Sequence, residues 1–316
     1  MDYRYAPLAL GDTLTWLTNL QVLAHDTGLK KIELLFMVDS GRSRVSPTPH
    51  ITGYNYVSAL ENIQPAILCS PLVDSIRIYE SEDLPVQRIF GAALARSSSW
   101  PGIGSHLMHD MDYVGHELIN DFNKRHDWIP KLQPPQGYLS ETELFKRKYL
   151  NGRKAFVLNI RQRALTVDMA DVVRDSPSDC WYEFLCRAYK LWPNACFVMV
   201  GDFTTWERRF ADIANVVIPR AYGFGLGHEL SLLFGGMPFI GSDSGFGVAA
   251  SFSSSPYVIT RYQYGTTGYR ERIGLAEGEH YRFASSNQRL SWRAESTDLL
   301  VELFAELWDA SYGGEV

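Results

Sequence analysis

The segment Phe239 to Ala250, Phe-Ile-Gly-Ser-Asp-Ser-Gly-Phe-Gly-Val-Ala-Ala, has the residue types and spacing that hold an anion. An apolar run (Pro238, Phe239, Ile240) leads into Gly241, and Asp243-Ser244-Gly245 then opens a helix of small residues. Glycine permits a tight turn and lets a ligand approach the backbone closely. The first amides of a helix have no intrahelical partner and sit at the positive end of its dipole. A phosphate or diphosphate is the natural guest. The same residues also suit a plain strand-to-helix turn capped by Asp243 or Ser244.

Four further residues have types that serve such a guest. Asp12 follows Leu10-Gly11 at an expected strand end; it is either a helix N-cap or a general base that takes a proton from an attacking hydroxyl. These roles compete, because helix amides that hold a carboxylate lower its pKa and weaken it as a base. Arg161 and Arg163 lie just beyond the expected strand Lys154 to Ile160, where a guanidinium can neutralise a departing diphosphate or make a surface salt bridge. Glu229 lies in the first turn of the helix before the Asp-Ser-Gly strand; it serves the helix dipole or contacts a ribose diol. His228 beside it reads as a cap or surface residue.

Other patterns carry less chemistry. Asp110-Met111-Asp112 is a D-x-D triplet without a preceding apolar strand, and His106, His109 and His116 lack H-E-x-x-H spacing and read as a solvated loop. Gly223, Gly225 and Gly227 read as a flexible loop, and no G-x-S-x-G, P-loop or G-x-G-x-x-G motif is present. No metal site or cofactor is expected. Cys69, Cys180, Cys186 and Cys196 form no C-x-x-C pair and read as buried, reduced thiols. The N-terminus, Met-Asp-Tyr-Arg-Tyr, has no signal-peptide shape, and no apolar run approaches the ~20 residues of a membrane span. A cytoplasmic setting follows as the default, with peripheral membrane association left open. The net charge of -6 argues against a dominant nucleic-acid surface.

These residues need a scaffold. A chain of 316 residues points to two domains, since single cores seldom grow much past ~250 residues. The C-terminal half alternates strands (Lys154 to Ile160, Cys196 to Val200, Asn215 to Ile218, Pro238 to Gly241, Tyr257 to Thr260) with helices. One helix takes its N-terminal cap from Ser176-Pro177-Ser178-Asp179, with Pro177 in the first turn, another opens with the capping box Thr204-Thr205-Trp206-Glu207, and others span Leu226 to Phe234, Gly245 to Phe252 and Thr297 to Trp308. Such alternation predicts a doubly wound parallel sheet. The N-terminal half reads as a second α/β unit. Its strands are Tyr5 to Leu10, Lys31 to Val38 and Ser75 to Tyr79. Its helices start near Asp12, with Leu17, Leu20 and Ala24 on the core face, and span Tyr54 to Ile63 and Met111 to Lys124. Pro130 to Gly137 is the expected linker, followed by a helix capped at Ser140 that runs to about Leu150. The predicted domains are 1–135 and 136–316, Rossmann-like and facing each other across a cleft, with the ligand at the carboxyl ends of the strands.

In these motifs the chain resembles the GT-B glycosyltransferases, particularly the heptosyltransferase-like group. Leu10-Gly11-Asp12 and the helix after it look like that group's N-terminal L-G-D segment, and Phe239 to Ala250 is similar to its strand, D-S-G and Ala-rich helix. The resemblance implies inverting, metal-independent transfer of a sugar from a nucleotide-sugar donor to a hydroxyl of a glycan or glycolipid acceptor. It implies Asp12 as the base and Asp243, Ser244, Gly245 and Phe246 as holders of the donor's diphosphate and sugar. Two positions depart from the pattern. Val248 stands where the group carries His, and Asn159-Ile160-Arg161-Gln162-Arg163 looks more like the H-x-R segment of GT-B fucosyltransferases, with Asn159 for His. A sugar-nucleotide epimerase on the same fold, or a non-catalytic GT-B-like module, are the alternative readings.

Overall fold

The N-terminal unit is built on one buried helix, α1 (Leu10–Thr27), in which every residue from Thr13 to Ala24 is buried. The structure is a computed structural model that describes residues 9–38, 56–80, 115–162, 175–201, 207–262 and 273–313. The chain divides into two units, Met1–Pro130 and Lys131–Val316. A helix buried all round must satisfy its polar side chains internally. In α1 the Thr15 and Thr18 hydroxyls donate to carbonyls one turn back, Asn19 donates to the Gly115 carbonyl, and Gln21 donates to Ser70. The one-sided face expected from Leu17, Leu20 and Ala24 is thus corrected to burial on every side.

The start of α1 also differs from expectation. Leu10 is its first residue rather than a strand end, and residues 5–8 lie outside the described residues. Ala9 occupies the N-cap with extended backbone, so Asp12 is a first-turn residue and not the cap.

Strand β1 (Ile32–Val38) pairs in parallel with β2 (Val73–Glu80), with Leu34 opposite Ile76 and Phe36 opposite Ile78. Parallel neighbours need a crossover, and α2 (Tyr56–Ile67) supplies one. It runs a turn past the expected end at Ile63 and holds Pro65, which has no N–H to give the carbonyl four residues back. Helix α3 (Glu117–His126) is shorter than the expected Met111 to Lys124, of which residues 111–114 lie outside the described residues. His116, expected in a solvated loop, is instead buried at the N-cap of α3. Burial pushes its imidazole pKa down to about 4.

The C-terminal unit begins with a 3-10 turn (Gln136–Tyr138) that feeds α4 (Leu139–Phe145) and a π turn (Lys146–Leu150). Tyr138 precedes the helix and Ser140 lies within it, so the expected Ser140 cap is not formed. Six parallel strands follow: β3 (Lys154–Asn159), β4 (Ala195–Met199), β5 (Val216–Val217), β6 (Phe239–Ser242), β7 (Tyr257–Thr260) and β8 (Gln288–Leu290). They lie side by side in the order β5-β4-β3-β6-β7-β8. Counted within the unit this is 3-2-1-4-5-6, the order of a dinucleotide-binding sheet, whose direction of winding reverses between its first and fourth strands.

The unbroken apolar runs of β3 and β4 fit a sheet covered on both faces. On one face lie α5 (Ser178–Leu191) and α8 (Thr297–Tyr312). Trp181, Phe184, Leu185 and Ala188 of α5 and Phe304 of α8 are fully buried against Phe156 and Phe197. Phe304 packs edge-on or tilted on Phe156, Phe184 and Phe197, with ring centroids 4.7, 5.6 and 5.0 Å apart. Helices α6 (Leu226–Phe234) and α7 (Gly245–Ser251) complete the unit. Pro177 takes the N-cap of α5, where Ser176 was expected. Of the helix expected to open at Thr204-Thr205-Trp206-Glu207, residues 202–206 lie outside the described residues, and Arg208–Asp212 is a 3-10 turn. Among the described residues no helix is long and apolar enough to cross a membrane.

Candidate active site

The reversal point of the sheet lies between β3 and β6, and the residues at their carboxyl ends form one bonded polar cluster. Asn159 ends β3 opposite Gly241 of β6. Its side-chain amide donates to the Val200 carbonyl at 2.8 Å, while its oxygen accepts the Ser244 hydroxyl at 2.7 Å. Ser244 is the N-cap of α7 and also accepts the Gly247 amide at 3.2 Å. One hydroxyl thus fixes the loop between β6 and α7 to the end of β3. Of the two caps left open by the sequence, Ser244 rather than Asp243 serves. Asp243 is buried, and its N–H donates to the Thr260 carbonyl at the end of β7.

The strands approach here as closely as backbones can. A Cβ on Gly241 would lie 2.4 Å from the Asn159 carbonyl oxygen and 2.8 Å from the Phe239 ring. A Cβ on Gly247 would lie 3.0 Å from the Ser242 carbonyl. Gly241 and Gly247 are therefore favoured by close approach rather than by a left-handed backbone. Gly245 and Phe246 supply the first-turn amides that α7 itself cannot use.

Arg161 completes the rim. Its backbone N–H donates to the Ser242 hydroxyl at 3.1 Å, and its guanidinium donates to Asp175 at 3.2 Å. The pair is largely buried, unlike the surface salt bridge considered from sequence. Arg163 lies outside the described residues, as does the triplet Asp110-Met111-Asp112.

A second layer supports the first. The Ser176 and Ser242 hydroxyls meet at 2.5 Å, and the Ser176 N–H donates to the Arg161 carbonyl at 2.9 Å. Thr260 donates to the buried carboxyl of Glu295 at 2.5 Å. Burial pushes the Glu295 pKa up, and hydrogen bonds from Thr260 and Ser176 pull it back. Asp175, Ser176, Ser242, Thr260 and Glu295 were not singled out from sequence. Ser242 and Thr260 do carry a legible signal, since each is a hydroxyl residue closing an apolar strand.

Glu229 has a different setting from the donor contact expected of it. It is fully buried, and both its oxygens bond to Arg220, at 2.9 and 3.0 Å. It also accepts the Gly201 amide just beyond β4. Burial raises its pKa, and Arg220 opposes that rise. With its carboxylate fully buried and bonded to Arg220 and the Gly201 amide, its geometry suits fixing the loop after β4. His228 is the cap that the sequence suggested: its Nδ1 accepts the Gly225 amide, and its Nε2 lies 2.7 Å from Glu141. Gly225 caps α6 and Gly227 lies inside it, where a Cβ would meet the Tyr138 ring at 2.5 Å. Gly227 is thus a packing device and Gly225 a helix cap, rather than parts of a flexible loop. Of the thiols, Cys69 and Cys196 are buried as expected, whereas Cys180 and Cys186 are partly exposed.

No family model and no curated protein sequence matches the chain. Among solved structures it is similar to a family 9 glycosyl transferase from Veillonella parvula DSM 2008, at 12% identity over 96% of this chain and 95% of that one, with a TM-score of 0.55. It is also similar to the E. coli heptosyltransferase WaaC, in its complexes with ADP and with ADP-2-deoxy-2-fluoro heptose. Identity is 13% in both; coverage is 96% and 94% of this chain and 96% of each of those chains, with TM-scores of 0.45 and 0.43. The first of these similarities assigns the fold, an α/β architecture with parallel sheets. The resemblance read from the L-G-D and D-S-G segments is borne out at the level of that fold.

Proposed function

We propose that this protein is a glycosyltransferase that moves a sugar from a nucleotide-sugar donor to a hydroxyl of a glycan or glycolipid acceptor, with inversion and without a metal ion. The observation that carries this reading is the Asn159–Ser244 bond at the reversal point of a 3-2-1-4-5-6 sheet. Nucleotides bind such sheets at that crevice. The Ser244 cap holds the Gly245 and Phe246 amides toward the position of a diphosphate, and Asp243 offers its carboxylate to sugar hydroxyls. Arg161, steadied by Asp175, brings positive charge to the strand end where the leaving diphosphate gains negative charge. These are amides, hydroxyls and a guanidinium, groups able to stabilise that charge without a metal ion. Asp12, in the first turn of α1, is the proposed base.

A thermal-shift panel of GDP, UDP, ADP, dTDP and CMP, with and without magnesium, tests the donor site. A ligand at a hundred times its Kd adds about 2.7 kcal/mol, a readily visible shift. The expected result is a selective, magnesium-independent shift that names the base. No shift with any of them would move the non-catalytic reading to first place. Solvent deuterium in recovered nucleotide sugar would indicate an epimerase instead.

A further inference from the structure

At the far end of α1 from Asp12, two imidazoles and a carboxylate converge on one point. His25 and Asp26 lie in the last turn of α1, and His126 is the last residue of α3. One ligand atom from each lies within 4.8 Å of the others. Asp26 Oδ1 is 3.8 Å from His25 Nδ1 and 3.8 Å from His126 Nε2. The rings are held by an aromatic wall. His126 lies 4.3 Å from Phe122, and His25 stands edge-on to Phe122 and Trp128 at 5.0 and 5.4 Å.

The place already recognises a cation. Arg125 forms a forked pair with Asp26, at 3.2 and 2.6 Å, and the Nη1 of that fork is 3.4 Å from His126 Nε2. Two helix C-termini end here, each closed by a left-handed residue, Gly28 and Asp127, and their dipoles add negative potential. Arg125 is half exposed and lies on a long side chain, so it can leave.

We propose that His25, Asp26 and His126 bind a divalent first-row transition metal, zinc being the best chemical fit, which takes the place of Arg125 and clips α1 to α3. Two imidazoles and one carboxylate are borderline ligands of the kind zinc, nickel and copper prefer. Bonds of about 2.0–2.1 Å in a tetrahedral site put ligand atoms roughly 3.4 Å apart. The Asp–His distances are close to that already, and exposed side chains can close the remainder. The fourth position faces solvent and takes water. His25 lies thirteen positions after Asp12 on α1, about 20 Å of helix, so this site is distinct from the proposed base.

The test is a titration of untagged, chelator-stripped protein with zinc by calorimetry, and with nickel and copper by tryptophan fluorescence. One equivalent should bind, and copper quenching should fall sharply in Trp128→Phe. His25→Ala and His126→Ala should each weaken binding by more than about tenfold, since losing even an outer-shell partner costs that much. Asp26→Asn should do the same, and serves if a histidine variant proves unstable. Arg125→Ala should tighten binding by removing the competing cation, a change that adventitious surface histidines would not show. The proposal is overturned if no equivalent binds, if stoichiometry survives in folded His25→Ala/His126→Ala, or if Arg125→Ala leaves affinity unchanged or weaker.

Discussion

Gly241 shows what a single residue contributes at the strand ends. Its missing side chain lets β6 lie against Asn159, and a methyl there meets a backbone oxygen that cannot rotate away. Gly241→Ala should therefore cost about 1–3 kcal/mol by overpacking, read from the urea midpoint. Gly137→Ala, which meets nothing within 4 Å, should stay within about 0.5 kcal/mol of the parent. A cost as small at Gly241 would mean that the strand ends are looser than described. His116 makes a second, pH-dependent contribution. Its folded pKa is depressed from 6.5 to about 4, so the unfolded chain binds a proton that the folded chain does not. Stability from this group is complete above pH 6.5 and is lost as pH falls toward 4, by roughly 3 kcal/mol in all. Urea unfolding across that range should show a clearly flatter pH profile for His116→Asn than for the parent; parallel profiles would remove His116 as the cause.

At the scale of elements, the loop between β6 and α7 depends on one hydroxyl. Ser244→Ala deletes the N-cap and leaves the Asn159 oxygen without that donor, which together should cost about 2 kcal/mol. Ser244→Gly should keep part of the cap and cost less, and equal losses would argue that the cap contributes nothing. The elements themselves were legible where one period dominates. The strands β3, β4 and β7 are unbroken apolar runs, and the bounds of α6 and β7 were read directly. The face of α5 was also plain, since Trp181, Phe184, Leu185 and Ala188 recur at helical spacing and all four are buried. The strand β8 was not seen, because three residues with one exposed arginine between two buried side chains make no pattern. Nor was the all-round burial of α1, whose threonines, Asn19 and Gln21 look solvated until their distant partners are known. The same limit hid Glu295 and Ser176 from the candidate site. Their place is set by hydrogen bonds to Thr260 and Ser242, far away in sequence, and no local spacing encodes it.

For the whole molecule, the proposed chemistry draws on both units, with the base on α1 and the donor loop between β6 and α7. The similarity to the family 9 glycosyl transferase structure spans 96% of the chain, so both units share in the fold assignment. This division makes binding and turnover separable. A proton acceptor acts on the attacking hydroxyl as the bond to the sugar breaks, so removing it should leave the bound donor almost untouched. Asp12→Asn should keep the nucleotide Kd within about twofold while turnover falls below about 1% of the parent, given the 10²–10⁴-fold usually owed to such a base. Ser244→Ala should weaken the nucleotide about tenfold, close to 1.4 kcal/mol. In the double variant the binding effects should add within about 0.5 kcal/mol, as they do for sites without shared partners. Calorimetric titration of the nucleotide identified by the thermal-shift panel, with a coupled assay for its release, measures all four proteins. Should Asp12→Asn by itself weaken the nucleotide as much as Ser244→Ala does, Asp12 would belong to donor binding and the base would have to be sought elsewhere.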